Sequence, residues 1–199
     1  MIFRVLLRLL LLFLLLLENK NLQMEFGAKF DGECEFKINN RFFNLSCFSA
    51  VCANYSASDI NYTGWWYCCI PSCIVTEKNL PMPYFIHLDD IEYGMRNYNN
   101  GIILLNGISV WHPSFVNKSP LWYGYYDMRN QLLTCSMTDY FNAMTLYSAY
   151  FKNKSFWDVI DMMIFRHQTF VWLLHIMKCF CKGPETLLNL DALDRKSVV

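Results

Sequence analysis

Two adjacent carboxylates, Asp89-Asp90, are the strongest candidates for chemistry in this sequence. They follow an apolar segment predicted to be extended, Tyr84 to Leu88, and they begin a helix predicted to run to about Asn99. Carboxylates at the end of an extended segment lie where clefts form, so they can serve as a general base or a metal ligand. The alternative is a simple helix cap. A helix N-terminus also holds a carboxylate ionised, which suits a base but weakens its basicity.

Three residues with aromatic rings are candidates for the same site as the two carboxylates. His112 leaves the β-rich segment Ile108 to Trp111 and enters a loop, as either a core histidine or a functional one. Trp65-Trp66 follows Gly64, and in an extended chain the two indoles would point to opposite faces. They are either core side chains or a surface on which a sugar ring stacks.

The surrounding pattern predicts an α/β chain without linkers or repeats. We expect a strand or strand-loop over Asn61 to Pro71, a short helix over Ser72 to Asn79, and β segments Ile102 to Leu105 and Ile108 to Trp111 around Asn106-Gly107. From Pro120 the pattern is helical, with a face made of Trp122, Tyr125, Tyr126, Arg129, Leu132 and Leu133. A second helical stretch is predicted over Phe156 to Cys181. Asp127 and Arg129 are expected to form a structural ion pair.

Composition narrows the class of protein. The 199 residues are 54% hydrophobic and 17% charged, which excludes a disordered tail. Lys and Arg number 17 against 17 Asp and Glu, so no basic footprint for nucleic acid exists and we expect no such partner. The nine cysteines follow no metal-ligand spacing, and we expect mostly reduced core thiols.

The N-terminal segment has two interpretations. Arg4 and Arg8 precede nine apolar residues, Leu9 to Leu17, which resemble the apolar part of a signal peptide. Glu18-Asn19-Lys20 offers no small-residue cleavage site, and the run is shorter than the ~20 residues that span a bilayer. We therefore expect a buried helix or strand that packs within this chain or on sequence upstream. Secretion or anchoring through residues 1–17 is the alternative.

Taken in order, the motifs resemble the galactofuranosyltransferase-like members of glycosyltransferase family 2. The segments that carry the resemblance are Gln23-Met24-Glu25-Phe26-Gly27-Ala28 with Phe30-Asp31-Gly32, Tyr62-Thr63-Gly64-Trp65-Trp66 through Ile70-Pro71, Leu80 to Ile86, Asp89-Asp90-Ile91-Glu92-Tyr93-Gly94-Met95-Arg96, Gly107 to His112, Tyr125 to Asn130, and Lys182-Gly183-Pro184-Glu185. The resemblance covers roughly residues 20 to 190. It implies the GT-A α/β nucleotide-sugar fold, here only its acceptor-side half, followed by C-terminal helices.

The resemblance implies inverting transfer of a sugar, galactofuranose from a UDP-sugar donor, to a hydroxyl of a glycan acceptor in cell-wall or surface polysaccharide synthesis. Asp90 matches the general base, and Asp89 would orient the site. Trp65, Trp66, Phe115 and Glu92 match acceptor-binding positions. His112 matches the ligand of a divalent cation, Mn or Mg, which would neutralise the leaving diphosphate.

The departure from the family lies at the N-terminal end. Nothing upstream of Asp31 can supply the uridine-binding half with its Asp-x-Asp motif, so we expect a truncated transferase or one completed by a partner chain. The predicted divisions are an apolar segment 1–19, a half GT-A domain 20–135, and a helical region 136–199. A non-catalytic remnant that binds glycan or a membrane surface is the alternative function, and a small secreted disulfide protein is a third. We expect a cytoplasmic protein with peripheral contact at the inner face of the membrane.

Overall fold

The computed structural model describes residues 9–16, 21–30, 36–56, 59–84, 86–113, 122–137 and 167–188. The chain divides into two compact units. The first comprises Met1–Asp31, Glu35–Met82 and Asp89–Lys118, and the second comprises Gly32–Cys34, Pro83–Leu88 and Ser119–Val199. The elements are of mixed α/β type. The predicted divisions 1–19, 20–135 and 136–199 stay predictions.

A four-stranded sheet organises the first unit around β1 (Leu9–Leu16). This strand pairs parallel with β6 (Ile102–His112) and antiparallel with both β2 (Gln23–Glu25) and β5 (Cys68–Cys69). The apolar N-terminal run is thus a strand paired within this chain, which is one of the predicted alternatives. Leu14 is opposite Glu25 and Leu16 is opposite His112, so both polar residues lie near the carboxyl end of β1.

The other elements of this unit are a two-stranded ribbon and two helices. Strands β3 (Ala28–Phe30) and β4 (Phe36–Ile38) pair antiparallel, and α1 covers Phe48–Tyr55. Helix α2 covers Asp89–Asn97 and continues as a 3₁₀ turn, Tyr98–Asn100, which ends at Gly101 with a φ of 83°. The predicted helix from Asp89 to about Asn99 is confirmed. The buried apolar residues of this unit include Phe26, Phe30, Tyr62 and Tyr93.

Glycine allows α2 to pack closely on the segment that precedes the tryptophan pair. A Cβ built on Gly94 would lie 2.7 Å from the Cβ of Tyr62 and 3.0 Å from its Cα. Any larger residue would clash with the Tyr62 backbone. Because Asp90 begins the same helix, this contact brings its carboxylate beside the segment around Trp65.

Three local predictions need correction. The predicted helix over Ser72–Asn79 is a series of turns, since the β-branched residues Ile74 to Thr76 disfavour a helix and Asn79 Nδ2 donates to the Ile74 carbonyl at 2.9 Å. Asn106-Gly107 does not separate two strands. It lies inside β6, where the register against β1 shifts and Gly107 has a φ of 87°. The strand predicted within Asn61–Pro71 is reduced to Cys68–Cys69.

The second unit is helical. It contains α3 (Trp122–Met137), α4 (His167–Phe180) and α5 (Pro184–Leu188). The predicted helix after Pro120 is confirmed, and its buried residues include Tyr126, Arg129, Leu132 and Leu133. The part of the second helical prediction between residues 156 and 166 lies outside the described residues. Among the described helices, none is both long and apolar enough to cross a membrane.

Polar contacts to main-chain carbonyls tie this unit together. Arg129 donates from Nε and Nη2 to the Leu187 carbonyl at 3.1 and 2.7 Å. Asn130 Nδ2 donates to the carbonyls of Ile86 and His87 at 2.6 and 3.0 Å. His87 and Leu88 have φ values of 61° and 67°. The segment that we predicted to be extended is therefore bent before α2, because its carbonyls turn toward Asn130.

Candidate functional site

The first unit brings together an acidic and aromatic cluster. Its five members are the residues Glu25, Trp65, Trp66, Asp90 and His112, which we call the Asp90 cluster. They come from β2, the turn before β5, the first turn of α2 and the end of β6. Sequence separation of up to 87 positions is bridged by the sheet and by the close contact of α2 with Tyr62.

Asp90 carries the clearest electrostatic signature. Burial, reinforced by the negative charges of Asp89 and Glu25, raises the pKa of its carboxyl to about 7. Hydrogen bonds from the backbone N–H groups of Ile91, at 2.8 Å to Oδ1, and of Trp65 lower it by less. The expectation that the helix N-terminus keeps this carboxylate a weak base is therefore wrong. Loss of hydration and two neighbouring negative charges outweigh the backbone donors.

The two tryptophans have different surroundings. Trp65 is partly buried, and its ring meets Tyr93 of α2 edge to face with centroids 5.6 Å apart. Trp66 is 37% exposed, and its indole Nε1 donates to Glu25 Oε2 at 3.2 Å. They occupy a turn rather than the extended segment that we expected. Trp65 therefore packs on α2, while the indole of Trp66 remains accessible to a ligand.

His112 joins the cluster through Trp66. The two ring centroids are 5.3 Å apart at an angle of 51°. His112 Nδ1 lies 2.6 Å from the Pro113 carbonyl oxygen, which can only accept a hydrogen bond, so Nδ1 carries the proton. In the neutral ring, Nε2 then holds the lone pair that a metal or an acidic proton would need.

Two further groups are affected by the same negative charges. Burial raises the pKa of the Tyr62 hydroxyl above its usual value, and Glu25 and Asp90 raise it further. Burial, together with smaller effects of Cys69 and Asp90, raises the pKa of the Cys68 thiol to about 12. Both groups are thus neutral at physiological pH. The same surroundings that keep these two groups protonated raise the pKa of the Asp90 carboxyl to about 7.

The remaining predicted positions fall outside the cluster or outside the described residues. Glu92 is 4% exposed, and Arg96 holds both of its carboxylate oxygens, with Nε to Oε1 at 2.7 Å and Nη2 to Oε2 at 2.9 Å. Asp89 acts on the cluster through its charge beside Asp90. Phe115 lies outside the described residues. The roles of Asp89, Glu92 and Phe115 stay predictions.

A divalent cation finds only part of a site here. In the portion of the chain that the structure describes, no group of three or more His, Cys, Asp and Glu side chains could hold a metal ion. His112 would therefore need ligands from residues outside the described ranges or from another chain. The described residues do not fit a complete metal site.

Most cysteines lie away from the core. The eight described cysteines are free, and Cys135 and Cys179 are buried. Five are exposed at the surface: Cys47, Cys52, Cys69, Cys73 and Cys181. The prediction of core thiols is therefore wrong for these five. An apolar sequence context did not bury them, since they occupy turns, α1 and a short edge strand.

Glu25 is the member of the cluster that we did not single out as a site residue from sequence. It stood within the Gln23 to Ala28 motif, but an isolated glutamate in a short strand gives no chemical signal. The signal appears only when the chain folds, because Glu25 contacts residues 39 and 41 positions further along.

Comparison with known proteins supports a relationship to glycosyltransferases. The chain is 29% identical over 136 residues to galactofuranosyltransferase GlfT2 of Mycolicibacterium smegmatis, covering 66% of this chain and 20% of that protein. It is 36% identical over 83 residues to galactofuranosyltransferase GlfT2 of Mycobacterium tuberculosis, covering 40% of this chain and 13% of that protein. The chain thus spans about a fifth or less of the length of these relatives. No known protein-family profile matches it.

Proposed function

We propose that this chain carries the acceptor side of an inverting galactofuranosyltransferase of family 2, with part of a GT-A fold. The reaction would move galactofuranose from a UDP-sugar to a hydroxyl of a glycan. The similarity to two galactofuranosyltransferases supports the class of reaction. The observation that carries the proposal is the Asp90 carboxyl, which has a pKa of about 7 and accepts a hydrogen bond from the backbone N–H of Trp65. The next residue, Trp66, packs against His112.

Asp90 is suited to act as the general base. The acceptor oxygen attacks the anomeric carbon of the donor, the bond from that carbon to the diphosphate oxygen breaks, and Asp90 takes the proton of the acceptor hydroxyl. A base with a pKa near 7 accepts a proton more readily than an ordinary carboxylate and is still half ionised at neutral pH. Asp89 contributes by its charge, which raises the basicity of Asp90.

The acceptor would stack on the aromatic side of the cluster. Trp66 is 37% exposed and its indole is held at one edge, so the exposed part of the ring is where the apolar C–H face of a sugar would stack. Trp65 supports the site differently, because its backbone N–H donates to Asp90. Acceptor roles for Glu92 and Phe115, a cation on His112, a partner chain that binds the nucleotide, and peripheral membrane contact remain parts of the proposal.

The direct test is sugar transfer by the native full-length protein, purified together with the chain that supplies its nucleotide-binding half. We would incubate it with UDP-galactofuranose, Mn²⁺ or Mg²⁺ and a galactofuranosyl disaccharide, and detect the product by mass spectrometry. Asp90→Asn should reduce transfer by about a thousandfold, since it keeps the shape of the side chain and removes the base. Asp89→Asn is the matched control and should cost about tenfold, because it removes only a neighbouring charge.

The outcomes separate the proposed activity from its alternative. Asp90→Asn with wild-type transfer would exclude Asp90 as the base. Saccharide binding without transfer by the wild-type chain would favour the non-catalytic glycan-binding alternative. A chain that neither binds nor transfers would contradict both.

A further inference from the structure

Glu25 makes an unusual pair of contacts within the Asp90 cluster. Its Oε1 accepts a hydrogen bond from the backbone N–H of Gly64 at 2.6 Å, and its Oε2 accepts one from the indole Nε1 of Trp66 at 3.2 Å. One carboxylate therefore holds the main chain and the side chain of the same turn. Each bond has an ionised acceptor, which makes it stronger than a neutral hydrogen bond.

The elements on either side make this contact a fixed one. Glu25 lies on β2, where its backbone is paired with Leu14 of β1. On the other side, Gly64 leaves space for the indole to fold back over the turn. A Cβ built on Gly64 would lie 2.3 Å from Trp66 Nε1 and 3.0 Å from Glu25 Oε1. The absence of a side chain at position 64 is thus a requirement for the bond between Glu25 and Trp66.

The orientation of Trp66 is of interest because this ring is not a core side chain. It is 37% exposed, and the ring of His112 lies 5.3 Å away, centroid to centroid. An exposed indole has several rotamers of similar energy unless a specific contact selects one. The carboxylate supplies such a contact at the indole N–H, in addition to the packing of the His112 ring. It also draws the indole proton toward itself, which increases the electron density of the ring face that C–H groups of a sugar would meet.

We propose that Glu25 is a positioning residue that fixes the Trp66 indole as the stacking face for the sugar acceptor. The identity of the ligand, a furanosyl glycan, rests on the proposed function. The structural half of the inference, that Glu25 fixes the orientation of the Trp66 indole, does not. Glu25 touches neither the donor nor the reacting hydroxyl in this scheme. It acts on the acceptor through Trp66, and its charge also adds to the pKa of Asp90, although it ranks after that of Asp89. Its removal should therefore weaken acceptor binding strongly and lower turnover by a smaller factor.

The structural half is tested by NMR of the full chain labelled with ¹⁵N at tryptophan. The six tryptophans give six indole N–H signals, and Trp66→Phe identifies the one from position 66. In Glu25→Gln this signal should move upfield and its exchange with solvent should accelerate by about tenfold or more, since the charged acceptor is lost. Glu77→Gln, on an exposed turn, is the matched control and should leave the signal unchanged. Gly64→Ala should also shift this signal, because the added Cβ would clash with Trp66 Nε1.

The functional half is tested with a galactofuranosyl disaccharide as the probe. Glu25→Gln should weaken its binding and raise its KM by about tenfold, while kcat at saturating acceptor should fall by a smaller factor, about threefold, because a charge that raises the pKa of Asp90 is lost. The double variant Glu25→Gln with Trp66→Phe should bind no more weakly than Trp66→Phe alone, because Glu25 acts through that ring.

The results distinguish this inference from the proposed function. An indole signal that does not respond to Glu25→Gln, or a double variant that shows the full sum of both losses, overturns the positioning role. A signal that responds in a chain that binds no disaccharide overturns the proposed function instead, and with it the assignment of the sugar as ligand.

Discussion

Two acidic residues of helix α2, Glu92 and Asp90, have opposite electrostatic surroundings. Glu92 is 4% exposed, and the Arg96 guanidinium holds both of its oxygens in an i, i+4 pair. Asp90, one half-turn earlier, is only partly buried, and among the described residues it forms no ion pair. Its neighbours are instead the negative charges of Asp89 and Glu25.

The difference lies in what balances the lost hydration of each group. At Glu92 a cation compensates for burial, and further contacts of Arg96 with Asn79 Oδ1 and the Leu80 carbonyl hold that cation in place. Such a pair stabilises one arrangement of the two side chains. At Asp90 two backbone donors compensate only in part, so the pKa rises to about 7. The same helix therefore carries one carboxylate in an ion pair and one whose pKa lies near neutrality, which is the carboxylate that we propose as the base.

Removal of the cation should produce the largest effect on stability. Arg96→Met leaves Glu92 buried without its partner, and we expect a loss of about 2–3 kcal/mol in the free energy of unfolding. This loss is smaller than that expected for a fully buried ion pair, because the Arg96 side chain is 33% exposed. Urea denaturation at pH 7.5 measures it. The double variant Arg96→Met with Glu92→Gln should recover at least half of the loss. No recovery would show that Arg96 acts by packing and not by charge.

Neutralisation of Asp90 should have the opposite sign. The folded-state pKa of about 7 exceeds the ordinary value of 3.8, so the native state binds the proton more tightly than the unfolded chain does. Stability should therefore fall as pH rises from about 4 to about 7 and level off above that. At pH 8, Asp90→Asn should be more stable than wild type by about 2 kcal/mol, which is half of the roughly 4 kcal/mol that the full pKa change corresponds to. At pH 4 the variant and the wild type should be about equally stable.

Urea denaturation at both pH values would check this prediction. A variant that is equally destabilised at pH 4 and pH 8 would contradict it, because a packing defect does not depend on the proton.

A smaller effect should follow from an added methyl group between α2 and its neighbour. Gly94→Ala places a Cβ 2.7 Å from the Cβ of Tyr62, and we expect a loss of about 1 kcal/mol as the helix moves away. Because that movement also separates Asp90 from the Trp65 segment, transfer should fall with stability. Calorimetry and the transfer assay measure the two effects. An unchanged melting temperature would mean that the contact with Tyr62 is loose.

The sequence allowed the helix of this site to be predicted, because its signals are local. Asp89-Asp90 with Glu92 in the first turn and Gly101 after the last turn define α2 without any tertiary contact. The existence of α3 could be predicted from the spacing of its apolar residues, but its burial could not, since Met128 to Cys135 are all buried, including the polar Asn130 and Thr134. The residues Asp90, Trp65, Trp66 and His112 could be named for the same reason, as each stands beside a recognisable element or motif.

The rest depended on contacts between distant residues. The pKa of Asp90 cannot be predicted from a helix N-terminus alone, because Glu25 lies 65 positions earlier in the chain. The turn at Trp65-Trp66 depends on a carboxylate from β2 and on space left by Gly64. The bend at His87 depends on the side chain of Asn130. Local propensity favoured an extended chain at both places, and long-range hydrogen bonds decided otherwise.

The most direct test of this account is the titration of Asp90 itself. ¹³C NMR of the chain labelled at the aspartate side-chain carboxyl carbon, with the signal identified by Asp90→Asn, follows its protonation from pH 3 to pH 9. We predict a midpoint near 7, as burial and the acidic neighbours require. A midpoint near the ordinary value of 3.8 would contradict the account, since Asp90 would then be no better a base than any exposed carboxylate.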